Sequence, residues 1–280
     1  MLTEGVTDSR FKVGAWLVAE DRDTAFDGST KVENPHRERT QIHVPLVTFD
    51  VRLTQRLGIQ AAMTIPDVTR TAVLPRGTGT FDFRENFRGI GDTSVLGWYR
   101  LRPVHRWQPV LNFGVSLPTG KTETPRFRPE LDNGSLVPMS RLQRGSGTVD
   151  PVFGASLNNG RDPWTYFASV AARTPLAENS DGLRTGASFE VNGGVARYAW
   201  IRRLALFGRL GWLHREQDVF GGTPVLVGGG NWLYAAPGVG VLVGRGINVQ
   251  AEVKLPVYRS LSNKQLDSPA IFQFGISRSF

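Results

Sequence analysis

The chain has no cysteine, and its 280 residues include only three methionines and four histidines. Without thiols there is no disulfide framework and no thiolate metal site. His36, His43, His105 and His214 are scattered, with none of the paired spacings that zinc sites use. No apolar run approaches the ~18 residues a membrane helix needs. That excludes a helical membrane protein but not a barrel, because inward polar residues dilute the hydropathy of each strand. Windows rich in Ala, Leu, Glu and Lys are scarce, whereas Gly (32) and Pro (17) are plentiful, the balance of an all-β chain. Met1-Leu2-Thr3-Glu4-Gly5 has neither a basic start nor an apolar core, so a signal peptide is expected to be absent from the given chain.

What is there is alternation. Near the end, Ala270, Phe272, Phe274, Ile276 and Phe280 fall on one side and Gln273, Gly275, Ser277 and Ser279 on the other, with Arg278 the exception. A period of two is a strand with one apolar and one polar face. Ile247, Val249, Ala251, Val253, Leu255 and Val257 repeat the pattern against Asn248, Gln250, Glu252, Lys254, Pro256 and Tyr258. Extended over the chain it predicts twelve strands, at 8–21, 41–56, 59–73, 91–102, 107–119, 146–157, 162–175, 185–199, 203–216, 231–243, 247–259 and 268–280. Many exceed the roughly 5–6 residues usual in soluble sheets.

Connections alternate short and long. Leu57-Gly58, Pro103 to Arg106, Asn158 to Arg161, Ile201-Arg202 and Gly244 to Gly246 are short, while Arg22 to Thr40 and Gly120 to Gly145 are long. Such sorting belongs to a meandering barrel with tight periplasmic turns and long outer loops. The expected fold is therefore all-β, an antiparallel up-and-down transmembrane β-barrel of about 12 strands, one domain over 1–280, with both termini periplasmic. Trp107, Trp164 and Trp200 stand beside short turns, Trp212 and Trp232 flank a long loop, and Phe280 ends the last strand. These are the expected membrane-interface anchors.

Several segments resemble one family in order along the chain. They are Thr54-Gln55-Arg56-Leu57-Gly58-Ile59 with Met63-Thr64-Ile65-Pro66, Gly89-Ile90-Gly91-Asp92-Thr93, and Gly114-Val115-Ser116-Leu117-Pro118-Thr119-Gly120-Lys121. Gly145-Ser146-Gly147-Thr148-Val149-Asp150-Pro151 and Val253-Lys254-Leu255-Pro256-Val257-Tyr258 follow. From about residue 41 onward the chain resembles the outer-membrane β-barrel transporter family named after the meta-pathway of phenol degradation. The resemblance implies an outer-membrane barrel that passes small, often hydrophobic or aromatic compounds.

Motifs for other chemistry fail. Leu117 to Thr122 looks like a phosphate loop, but Val115 stands where its first glycine belongs and no helix pattern follows. A Ser–His hydrolase would need a serine on the face of His214, and Ser188 is in the opposite register. No catalytic, cofactor-binding or metal residue is assigned, and no enzyme activity or cofactor is expected. The formal charge of +8 comes from scattered residues rather than a basic stripe, which argues against nucleic acid. The expected partners are the lipid bilayer, lipopolysaccharide and a small-molecule solute, with room for a partner protein.

Projecting the polar faces inward lines the lumen with Arg52, Arg56, Arg100, Arg173, Arg209, Arg215 and Lys254 against Asp50, Asp92, Asp150, Glu190 and Glu252. Near balance predicts ion-pair networks rather than a wide anion-selective pore. In the longest loop, Arg126, Phe127, Arg128, Arg141 and Arg144 are candidates for a constriction. The sequence thus predicts an outer-membrane channel for passive diffusion of small solutes through a polar, charge-paired lumen. A non-conducting barrel that anchors or sheathes a partner protein is the alternative.

Overall fold

The computed structural model describes residues 9–76, 78–122, 143–161, 163–199, 203–225, 228–244 and 246–280. The chain first forms β1 (Phe11–Arg22), a small hairpin of β2 (Thr24–Gly28) and β3 (Thr30–Val32), and β4 (Arg39–Arg52). It continues with β5 (Leu57–Thr64), a hairpin of β6 (Asp67–Arg76) and β7 (Gly79–Arg88), β8 (Thr93–Arg100) and β9 (Gln108–Leu117). Next come β10 (Asp150–Arg161), β11 (Trp164–Arg173), β12 (Leu183–Arg184), β13 (Ser188–Ala199) and β14 (Leu204–Arg215). The short β15 (Val219–Phe220) and β16 (Thr223–Pro224) precede β17 (Gly230–Val243), β18 (Ile247–Asp267) and β19 (Ile271–Ser279).

Twelve of these close into an antiparallel barrel, ordered β1-β4-β5-β8-β9-β10-β11-β13-β14-β17-β18-β19 and back to β1. Closure leaves the barrel wall without an edge, so every strand finds backbone partners on both sides. Outward positions carry large apolar side chains in contact with the surroundings. Phe49, Phe113, Phe153, Leu206, Leu210 and Ile276 are each at least half exposed. Such a belt is unfavourable in water and expected in lipid.

Local chemistry makes the tight turns. Thr54 Oγ1 accepts the Arg56 and Leu57 amides at 3.2 and 3.0 Å, folding 53–56 between β4 and β5. His105 takes φ 58° where the Val104–Trp107 bridge joins β8 to β9. Gly244 and Gly246, at φ 39° and 76°, supply the left-handed backbone between β17 and β18.

The predicted strand 59–73 is two strands. β5 stops at Thr64 and β6 begins at Asp67, because Pro66 has no amide to continue the ladder. β6 then pairs with the loop end of β4, Arg39 to His43, and with β7. That hairpin holds its own clusters, Val68 with Phe87 and Ala72 with Leu74 and Phe83. At its base fully buried Arg70 donates to Glu38 at 2.9 Å. The expected strand 146–157 is β10, four residues later, since 143–149 is held in a loop stem. Leu57-Gly58 and Asn158 to Arg161, expected as turns, lie within β5 and β10. β18 runs to Asp267, where the β2–β3 hairpin joins it across a bulge around Asn263.

Candidate functional site in the barrel lumen

Strand register decides which side chains share the interior. Lys12, Gly14, Trp16, Val18, Glu20 and Arg22 of β1 stand opposite Asp50, Thr48, Leu46, Val44, Ile42 and Thr40 of β4. The same parity continues around the ring. Asp50, Arg52, Arg100, Asp150, Arg173, Glu190, Arg209, Arg215, Glu252 and Lys254 all occupy it, and Asp92 sits just ahead of β8 on the same side. Arg56 differs: it is exposed in the turn 53–56 at the rim, because the chain reverses there.

These charges form separate clusters. Arg209 pairs with Glu252 in mid-barrel. Glu190 accepts from Asn192 at 3.0 Å and lies in the field of Lys254 and Arg209. Toward the loop end, Glu20 pairs with Arg22 at 2.7 Å, Arg259 with Asp267 at 3.1 Å and Arg215 with Asp218 at 3.2 Å. Asp267 lies at the far end of β18, where burial pushes its carboxyl above the usual carboxylate range against the pull of Arg22 and Arg259. Glu20, Arg22, Asp218 and Asp267 were not among the expected lumen residues, although the parity of β1 places its two on the inner face.

The interior is also more apolar than a polar lumen would be. Trp16, Leu46, Leu96, Trp98, Val110, Phe167 and Phe207 hold inward positions. Four of the aromatics follow one rule. Trp98 lies opposite Gly58, Trp16 opposite Gly275, Phe167 opposite Gly194 and Phe207 opposite Gly238. A Cβ on any of these glycines would collide with the facing ring. Each ring therefore lies flat on the wall over a missing side chain, which keeps its bulk out of the lumen. Phe167, Tyr198 and Phe207 consequently line a cavity of about 600 Å³, shared with Lys12, Arg209 and Glu252. A second cavity, of about 220 Å³ toward the loop end, is lined by Glu20, Arg22, Arg215, Trp232, Tyr234 and Asp267.

The tryptophans divide. Trp164 and Trp212 take outward register, with Arg197 stacked over Trp164 at 5.3 Å and Phe189 edge-on to Trp212 at 5.9 Å. Trp107 ends a tight turn, and Arg278 lies over the Phe280 ring at 4.5 Å. Trp232, expected as an interface anchor, instead faces inward and donates to Asp267 at 3.1 Å. Its parity matches Tyr234 and Arg215 rather than Leu233, and this is visible only once the β14–β17 register is known. Trp200 lies outside the described residues. His214 faces outward beside Trp212 and meets Asn231 at 2.9 Å, while Ser188 faces inward, so the two are on opposite sides of the wall.

The neck of the longest loop gathers three sequence segments. Asp92 accepts the Ser146 amide at 2.8 Å with one oxygen and the Gly120 amide at 3.3 Å with the other. Thr119 Oγ1 donates to the Gly91 carbonyl at 2.8 Å and lies 2.9 Å from Thr93 Oγ1. Fully buried Asp150 accepts from Thr148 at 2.6 Å and pairs with Arg173, which also reaches Asp92 at 3.5 Å. Arg144, the one described constriction candidate, donates to the Arg88 carbonyl at 3.1 Å and so braces the neck. Arg126, Phe127, Arg128 and Arg141 lie outside the described residues. Gly120 and Gly145 pass so closely that a Cβ on either would meet the other strand's backbone. Among the described residues no group of histidines and acids could hold a metal ion.

The barrel is similar to an outer membrane channel from Pseudomonas putida F1, with a TM-score of 0.72, 12% identity, and coverage of 99% of this chain and 97% of that one. It is also similar to the transport unit of the autotransporter AIDA-I from Escherichia coli, with a TM-score of 0.50, 11% identity, and coverage of 100% and 93%. At such identities the likeness concerns the fold. No family model matches the chain, and no curated protein matches it by sequence.

Proposed function

We propose that this barrel lies in a bacterial outer membrane, tight turns and both termini on the periplasmic side, and passes small solutes by diffusion through its lumen. The observation that carries the reading is the flat seating of Trp16, Trp98, Phe167 and Phe207 over glycines. A barrel serving only as an anchor gains nothing from holding aromatic bulk against its wall, whereas a conduit does. The cavity beneath, with Phe167, Tyr198 and Phe207 beside Arg209 and Glu252, suits solutes that have an apolar body and a polar group. That the Pseudomonas putida barrel is an outer membrane channel is consistent with this reading, as is the resemblance of the sequence segments to transporters of hydrophobic and aromatic compounds. Selectivity arises from the width between the flat rings and from paired charges rather than from any bound group.

The test is single-channel recording of the refolded protein in a planar bilayer, with folding verified by heat-modifiable electrophoretic mobility. Discrete, reproducible conductance steps are expected. A folded barrel that leaves the membrane silent would replace the channel with the alternative, a scaffold that anchors or sheathes a partner.

A further inference from the structure

The near balance of lumen charges conceals an axial sorting. Within five residues of the short turns that join β4 to β5, β8 to β9, β10 to β11, β13 to β14 and β17 to β18, Asp50 is the only side-chain acid among the described residues. The same zone holds Arg52, Arg56, Arg100, Arg102, Arg106 and Arg203. Most of the remaining acids, including Asp92, Asp150, Asp218 and Asp267, stand toward the loop end, each with a basic partner or amide donors. Among the described residues the basic excess is therefore concentrated at one mouth.

Three of those arginines share a cavity. A hollow of about 320 Å³ at the tight-turn mouth is lined, among the described residues, by Arg52, Gln55, Arg56, Arg100, Leu101, Pro103 and Gln108, none of them an acid. The Arg100 amide donates to the Arg56 carbonyl at 2.7 Å, which docks the turn 53–56 against the end of β8. Arg52 stands opposite Gly58, which in turn stands opposite Trp98, two residues from Arg100 on the same face. Gln108 donates to the Leu101 and Pro109 carbonyls at 2.8 and 3.1 Å and serves as wall. Among the described residues Arg52 and Arg56 have no side-chain ion pair or hydrogen bond. Asp50 lies two positions up β4, opposite Lys12 and Gln60 and outside the lining.

Like charges converging on a hollow whose described wall holds no acid repel one another, and that cost is relieved when an anion enters. Planar guanidinium groups match a carboxylate with two parallel N–H···O bonds. Leu101 and Pro103 add apolar surface beside them. We infer that this mouth binds small organic carboxylates, the arginines taking the carboxylate and Leu101 and Pro103 the apolar body. Its part in transport rests on the channel reading; the binding itself does not.

The experiment titrates the full detergent-folded barrel with benzoate by calorimetry, with benzyl alcohol as the uncharged counterpart and inorganic phosphate as the competing anion. The double variant R52Q/R56Q changes an exposed turn residue and a strand end, and heat-modifiable mobility verifies its fold. The charge-keeping R52K/R56K serves as the second variant. Benzoate binding that weakens about tenfold in R52Q/R56Q, is partly kept in R52K/R56K and is absent for benzyl alcohol supports the site. In a conducting bilayer, benzoate added on the tight-turn side then reduces the current, and less so in the double variant. Binding in a barrel that never conducts would keep the site and remove the channel. Equal benzoate binding by wild type and R52Q/R56Q, no binding at all, or phosphate binding tighter than benzoate would each overturn the assignment.

Discussion

Replacing Asp92 should open the neck of the long loop. Its carboxylate joins the two stems, accepting the Ser146 amide at 2.8 Å and the Gly120 amide at 3.3 Å, with Arg173 at 3.5 Å. A hydrogen bond to a charged group contributes about 1.5–3 kcal/mol. The 2.8 Å bond is taken near ~2 kcal/mol and the longer one near ~1 kcal/mol. Arg173 is about a third exposed and has Asp150 as its main partner, so its contact with Asp92 adds only a few tenths of a kcal/mol, a roughly surface-type pair. Asp92→Ala therefore weakens the neck by about 3 kcal/mol, which is roughly a hundredfold in its opening equilibrium. The Lys121–Thr122 and Arg144–Gly145 bonds lie on the stems themselves, so trypsin reads this opening directly. When opening is fast relative to cleavage, the rate follows the open population, and Asp92→Ala should be cut at these bonds about a hundredfold faster than wild type. Asp92→Asn keeps one acceptor and should fall between, at about tenfold. A folded Asp92→Ala barrel cut at both bonds at the wild-type rate would refute the clamp.

Gly238→Leu should force the Phe207 ring off the wall and reduce single-channel conductance about twofold, whereas Gly208→Ala, which meets open space, should leave it unchanged. Equal conductance of Gly238→Leu and wild type would count against the flat-ring account. Leu210→Arg puts a charge on the outward belt and should destabilise the barrel in lipid vesicles by about 2–4 kcal/mol, read from the denaturant midpoint; a change of a few tenths would mean that this face does not meet lipid. Glu38→Ala removes a carboxylate that accepts from the buried Arg70 guanidinium and should weaken the β6–β7 hairpin by about 1.5–3 kcal/mol. Faster tryptic cleavage after Arg84, with the barrel itself intact, is the readout, and unaltered cleavage would deny the pair its bracing role.

Alternation is a local property, since each residue along a strand takes the face opposite to its neighbour whatever the strand pairs with. The twelve strands, the meander and the apolar exterior were therefore legible in the amino-acid order, as was the parity that sets Arg209 or Glu252 opposite to Leu210 or Val253. Pro66 alone marked the break between β5 and β6, but alternation reads across a proline and concealed it. What lies across the barrel depends on register between strands far apart in sequence, and no local pattern encodes that. Only the tertiary structure decided that Trp98 rests on Gly58 and Phe207 on Gly238, because each pair belongs to two strands whose relative sliding is set by their turns. Only it turned Trp232 inward to Asp267 and brought Gly120, Ser146 and Asp92 to one point, across sequence gaps that chain connectivity leaves unspecified. The sorting of charge along the axis has the same origin, since strands that run up and down place residues distant in sequence at one height.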